Sequence, residues 1–199
     1  MKKDSNINHR QFLTDTSILS AKIKIVGVGG GGINTVNNLI DFKLKDVQFI
    51  AVNTDFRSLE TSKAPTKLFI GEKITKGKSS NGNPLIGRGA AFQSIGVIKK
   101  TFMDSHMVFI TAGLGGGTGT GVAPVIGKIC KDIGAQVIAI VSTPYSFEGE
   151  KRNKQAAEGI LALNKIVDTI VVQPNDRIRE KDVPVRFLSQ IKNRQILPE

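Results

Sequence analysis

The sequence predicts an α/β fold: a parallel sheet in three layers, with helices on both faces. Three observations predict it. Strand-like apolar runs alternate with stretches of helical spacing, as repeated βαβ units do. Two of the runs, Val137–Val141 and Ile170–Val172, are apolar throughout, as strands buried on both faces are. The notable glycine-rich and polar loops all fall at the carboxyl ends of predicted strands, where ligands of such sheets sit.

The elements follow in order. Residues 1–20 are polar and aperiodic and read as a tail or a loosely attached helix. Lys22-Ile23-Lys24-Ile25-Val26 alternates and stops at Gly27, a first strand. Val36, Leu39 and Ile40 recur at helical spacing and predict a helix over 34–42. Val47–Val52 is the second strand and Lys67–Ile70 a short third one. A loop rich in Gly, Ser and Asn runs from Gly77 to Asn83. Arg88–Lys100 can be helical, with Ala91, Ile95 and Ile98 on one face. Met107–Thr111 is the fourth strand. A helix over Pro124–Asp132 follows, with Pro124 in its first turn and Val125, Ile126 and Ile129 turned inward. The strand Gln136–Val141, the helix Glu150–Lys165 and the strand Thr169–Gln173 complete one domain over 21–177. Residues 178–199 are highly charged, contain Pro184 and Pro198, and read as a divergent tail.

Composition narrows the function. The chain of 199 residues suits one substantial α/β domain, and 40% hydrophobic content suits a packed core. No apolar run is long enough to span a bilayer, and the charged start leads to no signal-peptide apolar region. The single Cys130 sits among apolar helical residues, a buried thiol of a reducing compartment rather than a nucleophile. With only His9 and His106 as partners, the chain is poor in zinc ligands. The net charge of +11 is scattered, Trp is absent and Tyr145 is the only Tyr. A solvated Lys-rich surface explains this better than specific nucleic-acid binding.

The strongest motif is Gly115-Gly116-Gly117-Thr118-Gly119-Thr120-Gly121, between a strand and a helix. Absence of side-chain bulk lets backbone approach a phosphate. N–H groups at a helix start, aided by the helix dipole, then bind it. Gly27-Val28-Gly29-Gly30-Gly31-Gly32 satisfies the dinucleotide pattern G-x-G-x-x-G, and Asp55 lies near where a ribose-binding acid would be. Four successive glycines and a second, longer glycine run exceed what a dinucleotide fold needs. Gly77-Lys78-Ser79 falls short of a kinase-type phosphate loop, because Gly71 is one residue too far away and the following Ser80-Asn81-Gly82-Asn83-Pro84 cannot start the necessary helix cleanly. Lys78 then belongs to an exposed loop that can close over a ligand. Two glycine runs on one sheet suggest a mononucleotide held by its phosphates. Glu148 and Arg152, at helical spacing, either grip the nucleoside or are a first-turn Glu and a surface Arg. Asn175, in Pro174-Asn175-Asp176, either forms a turn or bonds a base edge.

Taken together, these residues resemble the N-terminal, GTP-binding half of the FtsZ family, the bacterial tubulin homologues of cell division. The resemblance runs from about Lys22 to Arg177. It is carried by Ile25–Asn34, Ala51–Asp55, Asn83-Pro84 with Gly87-Arg88, the Gly115–Gly121 signature, Phe147-Glu148-Gly149 with Arg152, and Pro174–Arg177. It implies a Rossmann-like GTPase domain that binds GTP or GDP, with a metal such as Mg2+. Gly30, Gly31, Gly32, Ile33 and Asn34 would meet phosphates, as would the run from Gly115, Gly116, Gly117 and Thr118 to Gly119, Thr120 and Gly121. Asn53 belongs to the same site, Glu148 and Arg152 would hold the nucleoside, and Asn175 would meet guanine. It further implies filaments of a cytoplasmic division ring, with GTP at the subunit junction and self-association or pairing with an intact FtsZ as the partnership. In that family a central helix, a second domain and an acidic loop follow. None can be placed here, so the chain is expected to be a truncated half that binds GTP, hydrolyses it poorly alone and holds no catalytic acid. Ser79 and Asn81 stand where the family has glycines, and the family is generally acidic. A filament-capping fragment is the alternative, and a nicotinamide-binding oxidoreductase a distant one.

Overall fold

The computed structural model describes residues 21–177; the two predicted tails, 1–20 and 178–199, lie outside the described residues. Six parallel strands form one sheet: β1 (Ile23–Val28), β2 (Val47–Asn53), β3 (Thr66–Phe69), β4 (Met107–Gly113), β5 (Gln136–Thr143) and β6 (Thr169–Pro174). Their order across the sheet is β3-β2-β1-β4-β5-β6, so the direction of winding reverses between β1 and β4. A crevice opens at such a reversal, above the carboxyl ends of the strands. In register, Val52, Val28, Ala112, Val141 and Val172 form one row across the sheet. That row anchors the larger core beneath the crevice.

Helices cover both faces. On one, α4 (Pro84–Gln93), α5 (Ile95–Phe102), α6 (Gly117–Asp132) and α7 (Glu150–Asn164) bring Ile98, Phe102, Ile126 and Leu163 to the larger core. On the other, α1 (Gly29–Asp41) and α2 (Phe56–Glu60) bury Ile33, Val36, Leu39 and Leu59 against Ile25, Phe49 and Ala51. A short α3 (Glu72–Thr75) follows β3.

The element boundaries differ from expectation in a consistent way. Helix α1 starts at Gly29, not Asn34, and α6 at Gly117, not Pro124. Both glycine runs are therefore helical first turns rather than loops. Glycine disfavours helix on propensity, but tertiary contact overrides it. A Cβ on Gly32 would overlap the carbonyl oxygen of Thr111, so only glycine lets α1 lie this close to β4. Helix α4 begins at Pro84, ahead of the expected Arg88, after a non-helical Ser80–Asn83: the Asn83 side chain accepts from Leu85 N at 2.9 Å, and proline suits the first helical position. The single helix expected over 88–100 is two, divided at Ser94, whose hydroxyl instead accepts from Gly71 N at 3.0 Å. Helices α2 and α3 are too short for their periodicity to stand out.

The opposite end of the sheet is fastened by a buried lysine. Lys24, 4% exposed, donates to the Thr101 carbonyl at 2.6 Å and to Asp104, which also accepts from Lys22 at 3.1 Å. The Lys24 and then the Lys22 hydrogen bonds pull the Asp104 carboxyl down to about 2. Its folded pKa lies below the ordinary 3.8, so the stabilisation is present above pH ~4 and disappears as pH falls through about 2. Asp104→Asn is expected to destabilise the fold by about 1–3 kcal/mol near neutral pH, because it leaves a buried ammonium underpaired. Urea unfolding of both proteins from neutral to acid pH checks this. A gap that did not narrow in acid would refute the assignment. Cys130 is buried and its thiol is pushed up to about 12 by desolvation, which matches an inert core thiol.

Candidate functional site

Over the reversal point lies a cavity of about 450 Å³. Its floor is made by two helix starts. The β1–α1 turn passes through Gly29 at φ +69°, and Gly29, Gly30 and Gly31 line the cavity. Beside it Gly116, Gly117, Thr118 and Gly119 bring in the first turn of α6. Neither helix start has a side-chain cap, and neither carries an acidic residue in its first turn. The first N–H groups of a helix need partners. Two uncapped, acid-free starts on one cavity form a site for an anion, with both dipoles favouring negative charge.

On the β2 side stand Asn53, Asp55, Ser58, Ser79, Ser80 and Gly82. The Asn53 side chain accepts from Thr54 N at 2.8 Å, and Asp55 caps α2 by accepting from Ser58 N at 3.1 Å. On the β5–β6 side stand Ser142, Thr143, Pro144, Glu148, Arg152 and Asn175. Glu148 occupies a 3-10 turn, Ser146–Glu148, where one carboxylate oxygen accepts from Tyr145 N at 2.8 Å and the other pairs with Arg152. The pair presents a fixed carboxylate and a guanidinium to the same wall. Asn175 opens the next 3-10 turn, Asn175–Arg177, and Asp176 ties the two turns together by accepting from Ser146 N at 3.1 Å.

The loops expected at the strand tips therefore meet in one place. Of the expected site residues, Gly30, Gly31, Asn53, Gly116, Gly117, Thr118, Gly119, Glu148, Arg152 and Asn175 line the cavity. The structure turns the others elsewhere. Because the glycine runs are helical, successive residues rotate away from the crevice. Gly32 packs on Thr111, Ile33 lies in the core at 2% exposure, and Asn34 is exposed on α1. The Thr120 hydroxyl accepts from Gly115 N at 2.9 Å, bracing the turn from within, and Gly121 packs against α4. Ser80, Thr143 and Pro144, from loops expected at the strand tips, also line the cavity, and Ser58 and Ser142 do so beyond sequence expectation. Small polar residues after a strand carry no signal that separates a lining role from a turn. Lys78 is exposed and is not among the lining residues. Among the described residues, no group of three or more His, Cys, Asp or Glu could hold a metal ion.

The strand order and the paired helix starts define a Rossmann-like class of phosphate-binding α/β domain. Residues 22–181 match the family model described as the Tubulin/FtsZ family, GTPase domain, and the chain belongs to that family. Solved structures agree. An FtsZ dimer from M. jannaschii, described as empty, is 44% identical with a TM-score of 0.78, over 86% of this chain and 51% of that one. A mutant of FtsZ from M. jannaschii is 43% identical with a TM-score of 0.77, over 86% of this chain and 52% of that one. CetZ1 from Haloferax volcanii, a GDP-bound monomer, is 26% identical with a TM-score of 0.73, over 85% of this chain and 56% of that one. The chain spans about half the length of these structures.

Proposed function

We propose that this chain binds GTP and GDP in the cavity over the β1–β4 reversal and serves as the nucleotide-holding part of an FtsZ-type division filament. The observation that carries the reading is the convergence of two uncapped glycine helix starts on one cavity. The phosphates lie along Gly29–Gly31 and Gly116–Gly119. The nucleoside lies toward Glu148, Arg152 and Asn175, whose acceptors and donors suit ribose hydroxyls and a guanine edge. Self-association through the nucleotide face is supported by Phe147, which is 81% exposed beside Glu148 and stacks on Tyr145 with ring centroids 5.0 Å apart. Such a filament would act at the division site in the cytoplasm.

Turnover by the chain alone is expected to be slow. Among the described residues two carboxylates line the cavity, and both are engaged: Asp55 caps α2 and Glu148 pairs with Arg152. Hydrolysis would need acids from a neighbouring subunit to orient water. A Mg2+ ion would fit here only as a partner of the phosphates, with Asp55 as the lining carboxylate that has no cationic partner among the described residues and could help to hold it. Titration of the purified chain with fluorescent GTP, ATP and NADH tests the reading. GTP should bind at least about tenfold more tightly than either competitor. Equal affinities, or none, would overturn it.

A further inference from the structure

We propose that Ser80 is a positioning residue: its hydroxyl latches the loop 76–83 to the first turn of α6 and so holds one wall of the cavity in place. The inference rests on the nucleotide reading above. Between Lys76 and Asn83, Ser80 is the one buried residue. Its hydroxyl lies 2.9 Å from that of Thr118, which lies 3.0 Å from that of Thr54. The three are 2%, 8% and 0% exposed, so the chain of hydroxyls is shielded from water. Each hydroxyl has one proton and can accept besides, so two of the three protons serve the two contacts and the third, at one end of the chain, is left to donate outside it.

The loop needs such a latch. Lys76 and Asn81 hold left-handed backbone at φ 51° and 49°, a conformation that side chains disfavour. Phe56 N donates to the Gly77 carbonyl at 3.1 Å near the start of the loop, whereas the bond from Asn83 N to the Ser80 carbonyl, 2.9 Å, closes a turn within it. Nothing but Ser80 sends a side chain from its middle into the protein: the Ser79 hydroxyl accepts only from Asn81 N, at 3.0 Å. Thr118 thus joins two roles, since it lines the cavity and holds the loop.

The position of the loop sets the consequence. Across the sheet the cavity runs from Asn175 beyond β6, past both helix starts, to Asp55 and the loop beyond β2. With the nucleoside at the β5–β6 end, the loop stands beside the outermost phosphate. A loosened loop should therefore release a triphosphate more readily than a diphosphate.

The test uses the full 199-residue chain as Ser80→Ala, Thr118→Val and the double variant. Hydrogen exchange of residues 76–83, dissociation of fluorescent GTP and GDP, and melting are measured for each. In Ser80→Ala, loop exchange and GTP release should each rise about tenfold, the worth of one buried hydrogen bond, with a smaller change for GDP. The double variant should exchange no faster in the loop than Thr118→Val alone. Unchanged loop exchange in Ser80→Ala, additive effects in the double variant, or a lowered melt with no selective loop change would each overturn the latch. Absence of GTP binding by the unaltered chain would instead overturn the functional reading, and loop exchange would still decide the latch. Should Ser80→Ala fail to fold, Thr118→Val reads the same latch from its other side.

Discussion

Gly121→Ala is expected to lower the melting temperature by about 4–8 °C. A Cβ on Gly121 would overlap the Pro84 carbonyl and lie 2.7 Å from Arg88 N. Both are backbone atoms of α4, so no rotamer change can relieve the clash. Helix α4 would have to lift from α6, and with it Ala90 and Ala91, which are fully buried. Overpacking of this kind costs about 1–3 kcal/mol, and a backbone clash belongs at the upper end. Alanine is the better helix former by about 1 kcal/mol, which offsets only part of that. Gly116→Ala is the matched control. Its Cβ meets nothing within 4 Å, and its extended backbone accepts any residue. Thermal melts of the two variants should differ clearly. If Gly121→Ala melted like the unaltered chain, the close packing of α4 on α6 would be wrong.

This contrast bears on what the sequence could reveal. The strands were legible because burial on both faces leaves little besides Val, Ile and Ala, as in Val137–Val141. The site's location was legible because parallel winding sends every strand tip the same way. The helix starts were not. Gly29–Gly32 and Gly117–Gly121 oppose helix on propensity, and only the nearness of Thr111, Gly113 and Pro84 explains their conformation. Within each run, a glycine that admits a ligand looks the same as one that admits a neighbouring helix. Gly30 faces open space whereas Gly32 meets Thr111, two residues apart in one sequence of glycines. The Ser80–Thr118–Thr54 chain was hidden for another reason. Its members are far apart in sequence, and nothing about a lone serine announces a partner.

Gly30→Asp is expected to weaken GTP binding a hundredfold or more while making the fold slightly more stable. Gly30 is exposed in the first turn of α1, and a Cβ there would meet nothing within 4 Å. An aspartate suits that position in the helix, since a carboxylate near an N-terminus gains about 0.3–1 kcal/mol from the dipole. The same carboxylate faces the cavity where the phosphates are proposed to lie. Two like charges about 4 Å apart near a protein surface repel by about 4 kcal/mol, more than a hundredfold in affinity. Stability and binding should therefore move in opposite directions, which a general disruption of the fold could not produce. Gly30→Ala separates charge from size: it should retain most of the affinity, because its methyl meets open space. Added salt should restore part of the loss in Gly30→Asp by screening a partly exposed pair. Normal GTP affinity in Gly30→Asp would remove α1 from the anion site. An equal loss in both variants would mean that crowding, not charge, governs this wall of the cavity.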